Sequence, residues 1–236
     1  MNTVSIVIPA YEMHGRGAEF LNFGLNGIFH QTFKDIQVVV SDHSTNNTIE
    51  EVCKVWSGKG LNISYLRNEE ERGSSSANIN NAIRSSTGKY IKFLFQDDFL
   101  YCADAIEKTV KAFEKEPDKK WLVSACEHSN DGKILYRPFY PRYHDDIHLG
   151  NNTISSPSVL AIRNENVLYF DNKLIWLMDV EYYKRLHETF GAPVILNSIT
   201  VVNRTWDSQL SNTISQEIKN KELEYVKETY EYRRSI

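Results

Sequence analysis

Asp97 and Asp98 form an adjacent acidic pair just after the apolar run Tyr90–Phe95. Held at the end of a rigid strand, such a pair can reach a divalent cation that also binds phosphate oxygens. A plainer use is to cap the following helix, which Asp104 could also do. Asp42 follows Val38–Val40 and precedes His43-Ser44-Thr45. A carboxylate there can accept from a base N–H or a ribose hydroxyl, or cap the helix through Ile49, a task Ser44 or Asn47 would serve equally. Pro9-Ala10-Tyr11 offers an aromatic face and free backbone groups, or an ordinary turn. Arg72-Gly73-Ser74-Ser75-Ser76 exposes amides that suit an anion at a helix N-terminus, or forms a capped loop. It is no P-loop, because the GxxxxGKS/T spacing is missing. The stretch Tyr136–His148 combines tyrosines, Phe139, His144, Asp145 and Asp146. It reads either as a lid whose aromatic faces, His and Asp could meet a polyhydroxylated ligand, or as a Pro-braced surface loop with its own aromatic cluster.

The elements that must position these groups alternate along the first hundred residues. Val4–Ile8, closed by Pro9, is a β-branched buried-strand run, followed by helical spacing over about 18–31. Ile36–Val40 is a second strand, and Ile49, Val52, Val55 and Trp56 form one face of a helix ended by Gly58 and Gly60. Asn62–Leu66 is a third strand, Ala77–Ile83 lies on a helix ending near Gly88, and Tyr90–Phe95 is a fourth strand. Strands separated by helices imply parallel crossovers and an α/β sheet flanked by helices. Ligands of such sheets bind beyond the carboxyl ends of the strands. That rule selects Pro9–Glu12, Ser41–Ser44 and Gln96–Asp98. Further on, Ala103–Glu116 reads as a helix, Trp121–Cys126 and Ile134–Tyr136 as strands, and Pro138–Asn152 as a loop. Ser158–Ile162 reads as a strand, Met178–Phe190 as a helix, Val194–Asn203 as a strand and Ile214–Tyr232 as a long charged helix.

The 236 residues carry a net charge of −4 and a pI near 6.0, which gives no positive field for a nucleic-acid partner. Cys53, Cys102 and Cys126 are odd in number and far apart, so they read as buried thiols of a reducing compartment. No basic segment leads into an apolar one at the start, and no run is long enough to span a bilayer. Sequons at Asn46, Asn62, Asn151 and Asn203 are read as accidents of an Asn-rich composition. The expected location is cytoplasmic, peripheral contact with the inner membrane face included. The last helix is expected to pack on the sheet domain or to make a homodimer contact, since its surface mixes Lys and Glu.

Taken in order, these segments resemble the family 2 glycosyltransferases. The resemblance rests on Val4–Tyr11, Leu25 with Gln31-Thr32-Phe33, Val38–Thr45, and Asn78 through Gly88-Lys89-Tyr90 to Asp97-Asp98. It continues through Ser156–Leu160, Trp176–Leu186, and Arg204, Ser208 and Ser211. It implies a single compact GT-A type domain, a Rossmann-like mixed sheet flanked by helices, ending in a C-terminal helix. The expected parts are a nucleotide-sugar half (1–100), an acceptor and catalytic half (101–211) and a final helix (212–236). The implied reaction moves a sugar from a nucleotide diphosphate donor, UDP favoured, to a hydroxyl acceptor with inversion. The family expectation for the acceptor is a carbohydrate or lipid-linked precursor of surface polysaccharide or lipopolysaccharide.

Residue by residue, Pro9, Ala10, Tyr11 and Asp42 match positions lining base and ribose. Asn78 matches an Asn near the donor, with a structural or phosphate-side role. Asp97 matches the last aspartate of the DxD metal motif and so implies a divalent cation, Mn2+ or Mg2+; Asp98 matches the acid that follows it. Asp179 matches the general base that deprotonates the acceptor. Glu181, in the same turn, is the rival, and the helix dipole is expected to draw the Asp179 pKa down. The chain departs from the pattern at four places: Phe95 takes the first DxD position, Glu12 follows the Tyr, Ser41 replaces the first paired acid, and Trp206 falls near a C-terminal His. Competing readings are a catalytically impaired sugar-nucleotide-binding pseudoenzyme or scaffold, and another nucleotide-using enzyme on a similar sheet.

Overall fold

The computed structural model describes residues 2–235. Met1 and Ile236, the outer bounds of the first and last expected parts, lie outside the described residues, as does the side chain of Ser211. The first half contains β1 (Val4–Ala10), α1 (Gly17–Phe29), β2 (Ile36–Asp42), α2 (Thr48–Gly58), β3 (Ile63–Arg67), α3 (Ser75–Arg84) and β4 (Tyr90–Phe93). These four strands are parallel in the order β3-β2-β1-β4, as right-handed crossovers through helices demand. β1 and β2 are buried along their whole lengths, so their apolar runs face helices on both sides.

The second half extends the same sheet with β5 (Phe99–Leu100), α4 (Ala105–Lys115), β6 (Trp121–Ser129), β7 (Tyr136–Phe139) and β8 (Leu160–Arg163). It continues with α5 (Met178–Phe190), β9 (Val194–Arg204), α6 (Leu210–Thr213) and α7 (Gln216–Ser235). Beyond β4 the order is β8-β6-β9-β5, with β7 hung on β6. Pairings β4–β8, β8–β6 and β9–β5 are antiparallel, while β6–β9 is parallel. The sheet is therefore mixed, and it runs without a break through both halves.

Close approach fixes two glycines. A Cβ on Gly88 would lie 2.5 Å from the Ser5 amide nitrogen, so the chain entering β4 can pass β1 only without a side chain. A Cβ on Gly17 would lie 2.1 Å from the Tyr11 carbonyl oxygen, where α1 starts against the turn leaving β1.

Several boundaries differ from the sequence reading for identifiable reasons. β2 runs two residues further, because Ser41 and Asp42 pair with Pro9 and Ala10 on one side and Leu66 and Arg67 on the other. β4 stops at Phe93: Phe95 N–H turns to Ser158 Oγ (2.8 Å), and Asp98 N–H closes on the Phe95 carbonyl (3.0 Å). The strand expected at Ile134–Tyr136 begins only at Tyr136, because Asp131 Oδ1 accepts the amides of Lys133 and Ile134 and holds them in a turn. Cys53 and Cys126 are buried, but Cys102 is only partly so.

The 138–152 segment is less open than an unstructured loop. A 3-10 turn, Ile147–Leu149, buries Ile147 and His148 against α5 and α7, and Tyr143 stacks on His187 at 3.7 Å. The final helix packs on the domain: Val226 and Tyr230 are buried, and Glu222 accepts the amides of Ile175, Trp176 and Leu177 at 2.8–2.9 Å. Among the described residues no helix is long and apolar enough to cross a membrane.

Candidate active site

The adjacency of β2, β1 and β4 brings Asp42, Ala10-Tyr11 and Gln96–Asp98 to one sheet edge. Pro9 lies beyond the last β1–β4 pair, Val7–Phe93, where its missing N–H breaks no ladder with β4. The Ala10 carbonyl accepts from His43 N–H (2.9 Å) and Asn78 Nδ2 (3.1 Å). Tyr11 is exposed at the ring, while Gln96 grips its backbone on both sides, accepting from its N–H (2.9 Å) and donating to its carbonyl (3.1 Å). Gln96 also donates to the Gly17 carbonyl (2.8 Å), so it clamps the turn that leaves β1 against the start of α1. Burial, then the charges of Asp97 and Glu12, pushes the Tyr11 phenol up.

Asp42 is fully buried at the β2 terminus. Its Oδ1 accepts Ser44 N–H (2.8 Å); its Oδ2 accepts Tyr65 Oη–H (2.7 Å) and faces Arg67 at 3.3 Å. It does not cap α2, whose first turn is closed by Asn46 Oδ1 on Thr48 N–H (3.0 Å). Asn78 is buried, and its amide is taken up by Ala10 O and Ser41 Oγ, which ties α3 to β1 and β2. Glu12 crosses to the neighbouring loop, where its Oε1 accepts from the Thr45 amide and hydroxyl. The Arg72–Ser76 stretch takes its capped-loop form: Ser74 Oγ accepts Ala77 N–H (3.1 Å).

Asp97 and Asp98 point to different partners. Asp97 is half-buried; its Oδ2 accepts Trp206 Nε1–H (3.0 Å), and its carbonyl accepts Arg204 Nε–H (3.0 Å). Asp98 is buried; its Oδ1 accepts Arg204 N–H (2.9 Å), and Ser156 Oγ lies 3.2 Å from its Oδ2. Burial raises both pKa values, and the Asp97 charge raises Asp98 further, because two adjacent buried carboxylates cannot both ionise cheaply. Burial pushes Lys92, deep in β4, down to about 7, and its Nζ donates to the carbonyls of Ser158 and Leu160.

A cage of protein ligands for a divalent ion does not assemble at this corner. Phe95 supplies no donor, Asp98 is spent internally, and one Asp97 oxygen faces an indole N–H. Among the described residues no group of three His, Cys, Asp or Glu could hold a metal. Beside Trp206 opens a cleft of about 610 Å³ bordered by His14, Arg16, Asn130, Thr205 and Asp207.

Asp179 sits in the first turn of α5. Its Oδ1 accepts Val180 N–H and its Oδ2 accepts Asn152 Nδ2–H, both at 2.7 Å. The expected downward pull of the helix dipole is overridden. Burial, helped by the Glu222 charge, raises this carboxyl to about 7. Glu181 faces away from that side, toward Arg185 Nε (2.6 Å) and Tyr230 Oη (3.2 Å).

Sequence spacing could not reveal the link between the two acidic regions. Asn152 Nδ2 also donates to the Ser155 carbonyl (3.1 Å), and Asn203 Nδ2 donates to Ser155 Oγ (2.7 Å). Asn203 Oδ1 lies 2.9 Å from Ser156 Oγ, which reaches Asp98. Ser155 holds φ +97°, a left-handed backbone that a β-carbon disfavours and that these bonds sustain. Tyr65, Arg67, Asn152 and Glu222 were not signalled by any motif; only Gln96 stood inside one.

A parallel four-stranded half continued by a mixed extension, with acids on the carboxyl edge, defines the GT-A-like fold. The chain superposes on S. aureus TarS 1-349 in complex with UDP-GlcNAc with TM-score 0.73 at 16% identity, covering 95% of this chain and 65% of that one. It also matches the Pyrobaculum calidifontis mannosyltransferase PcManGT in complex with GDP-Man and Mn2+ (TM-score 0.65, 16% identity, 88% of this chain and 58% of that one). The chain belongs to glycosyl transferase family 2, whose family model matches residues 5–210. Among curated relatives, an uncharacterized glycosyltransferase of Methanocaldococcus jannaschii is 27% identical over 192 residues, 77% of this chain and 63% of its own length. One of Rickettsia typhi is 23% identical over 235 residues, covering 93% of this chain and 69% of its own length. The chain thus spans under two thirds of the M. jannaschii relative and of both solved structures.

Proposed function

We propose that this chain transfers a sugar, with inversion, from a nucleoside diphosphate donor, UDP favoured, to a hydroxyl of a surface polysaccharide or lipopolysaccharide precursor, working at or near the inner membrane face. Pro9, Ala10, Tyr11 and Asp42 line the base and ribose in this reading. Asn78 and Asp98 hold the walls of that site, and Asp97 faces the diphosphate end. Asp179 takes the acceptor proton as the acceptor oxygen bonds to the anomeric carbon and the bond to the diphosphate oxygen breaks. The observation that carries this reading is the Asp179 carboxyl, raised to about 7 and joined by hydrogen bonds to the Asp98 corner. A base with that pKa is half ionised near neutral pH, where proton transfer is most effective.

A nucleotide-sugar panel read by released diphosphate tests the activity. Asp179→Asn should retain nucleotide binding and lose roughly 10²–10⁴-fold in transfer, the usual worth of a general base. Loss on Glu181→Gln alone would instead make Glu181 the base. The indole on Asp97 also favours a second reading, a nucleotide-sugar binder without turnover. Donor binding with no transfer to any acceptor, and an Asp179→Asn variant indistinguishable from the parent chain, would select it.

A further inference from the structure

We infer that this chain holds its donor's diphosphate without a divalent cation, using the guanidinium of Arg16 as the counter-charge. The inference rests on the nucleotide-sugar reading above. The strand order sets the path: a donor with its base at Asp42 on β2 and its reacting end near Asp97 after β4 must lay its diphosphate over the exit of β1. That exit is the turn Tyr11–Arg16, and its cationic side chain is Arg16, with His14 beside it. Both line the cleft next to Trp206.

Arg16 is pre-set for this task. Its guanidinium lies 4.3 Å from the Phe20 ring centroid and 6.0 Å from that of Trp206, so aromatic faces orient it without using its N–H donors. Its ion partner is Glu19 at 3.1 Å, an exposed pair one helical turn apart. Glu19 accepts from both Nε (3.2 Å) and Nη2 (3.1 Å), so a diphosphate must take over both donors, an exchange its larger charge and its own bidentate acceptance favour. The turn itself is strained toward its shape: Met13 and His14 hold φ +46° and +53°. The carboxylates near this path are Glu12, which is engaged by Thr45, Glu19 on Arg16, Asp97 and Asp207. Asp97 meets an indole N–H where a metal-dependent site would present a ligand, and an indole cannot coordinate a cation. Phe95 and Trp206 thus remove two donors from one corner, while Arg16 adds a positive charge beside it.

Calorimetric titration of the whole chain with UDP, GDP, CDP and dTDP, in EDTA and in excess Mn2+, tests the inference. The expected result is one nucleotide whose Kd differs by less than about threefold between the two conditions. Arg16→Gln should weaken that nucleotide by about tenfold or more in EDTA, the loss of a charge-assisted contact. Tightening by Mn2+ of more than about tenfold, or a Mn2+ electron-paramagnetic signal immobilised on the protein–nucleotide complex, overturns the inference and leaves the donor reading standing. Unchanged binding by Arg16→Gln, with circular dichroism showing a folded chain, overturns the role of Arg16. No binding of any of the four in either condition overturns the donor reading and this inference with it.

Discussion

At the scale of the residue, the proposed reaction turns on Asp179, whose carboxyl is raised to about 7 by desolvation. Transfer should rise as pH passes about 7 and level off above it, read as the acidic limb of kcat/KM. The sign for stability is opposite. The folded carboxyl binds a proton more tightly than the unfolded one, whose ordinary value is 3.8, so its contribution to stability is present at low pH and is lost as pH rises through about 7. Melting curves should therefore show Asp179→Asn gaining stability relative to the parent chain at pH 8 compared with pH 5.

Asn152 controls the same group. Its Oδ1 accepts the amides of Ile154 (3.0 Å) and Ser155 (2.8 Å), which fixes the direction of the amide and obliges Nδ2 to donate to Asp179. Removing that donor with Asn152→Ala should raise the acidic limb by roughly one unit, the worth of one charge-assisted bond, and lower kcat about fivefold near pH 7. KM for the donor should stay the same, whereas a merely unfolded variant would lose both together.

At the scale of the element, the site depends on how α5 begins. The helix has no side-chain cap of its own at Leu177. Glu222 on α7 substitutes for one by accepting three amides of the preceding segment, so the last helix holds in place the turn that carries Asp179. Glu222→Ala leaves those donors without their acceptor and should cost about 3 kcal/mol. For a chain of this size that is a fall in Tm of roughly 6–12 °C, measured by calorimetry. Glu222→Gln keeps one acceptor oxygen and should cost less. The 142–153 segment belongs to the same assembly: Arg142 N–H donates to the Thr153 carbonyl (2.8 Å), and Ile147 is buried beneath it. That anchoring makes the segment a packed mount for Asn152, between the lid and the surface loop that the sequence leaves equally open.

At the scale of the whole molecule, one sheet joins the parallel half to the mixed half through the β4–β8 pairing of Tyr90–Lys92 with Ala161–Arg163. Lys92 crosses the same seam to the carbonyls of Ser158 and Leu160. Unfolding should then be a single transition with equal calorimetric and van't Hoff enthalpies, although the two halves differ in topology. Two resolved transitions would mean that the expected division near residue 100 is a physical boundary.

The parallel half was legible in the sequence because buried parallel strands need unbroken apolar runs and their crossovers need amphipathic helices, both local patterns. The same patterns, with the rule of carboxyl ends, put Asp42, Tyr11 and Asp97 on one edge. The antiparallel half was less legible: strands such as β5 and β8 are short, and their pairing partners lie far away in the chain. What only the tertiary structure decided is the state of each acid. Asp97 meets Trp206 across 109 residues, Asp98 meets the Arg204 amide across 106, and Asp179 lies half-buried after a turn that Glu222 of the final helix holds. A carboxylate's chemistry is set by its desolvation and by the donors facing it, and both are properties of contacts between distant segments.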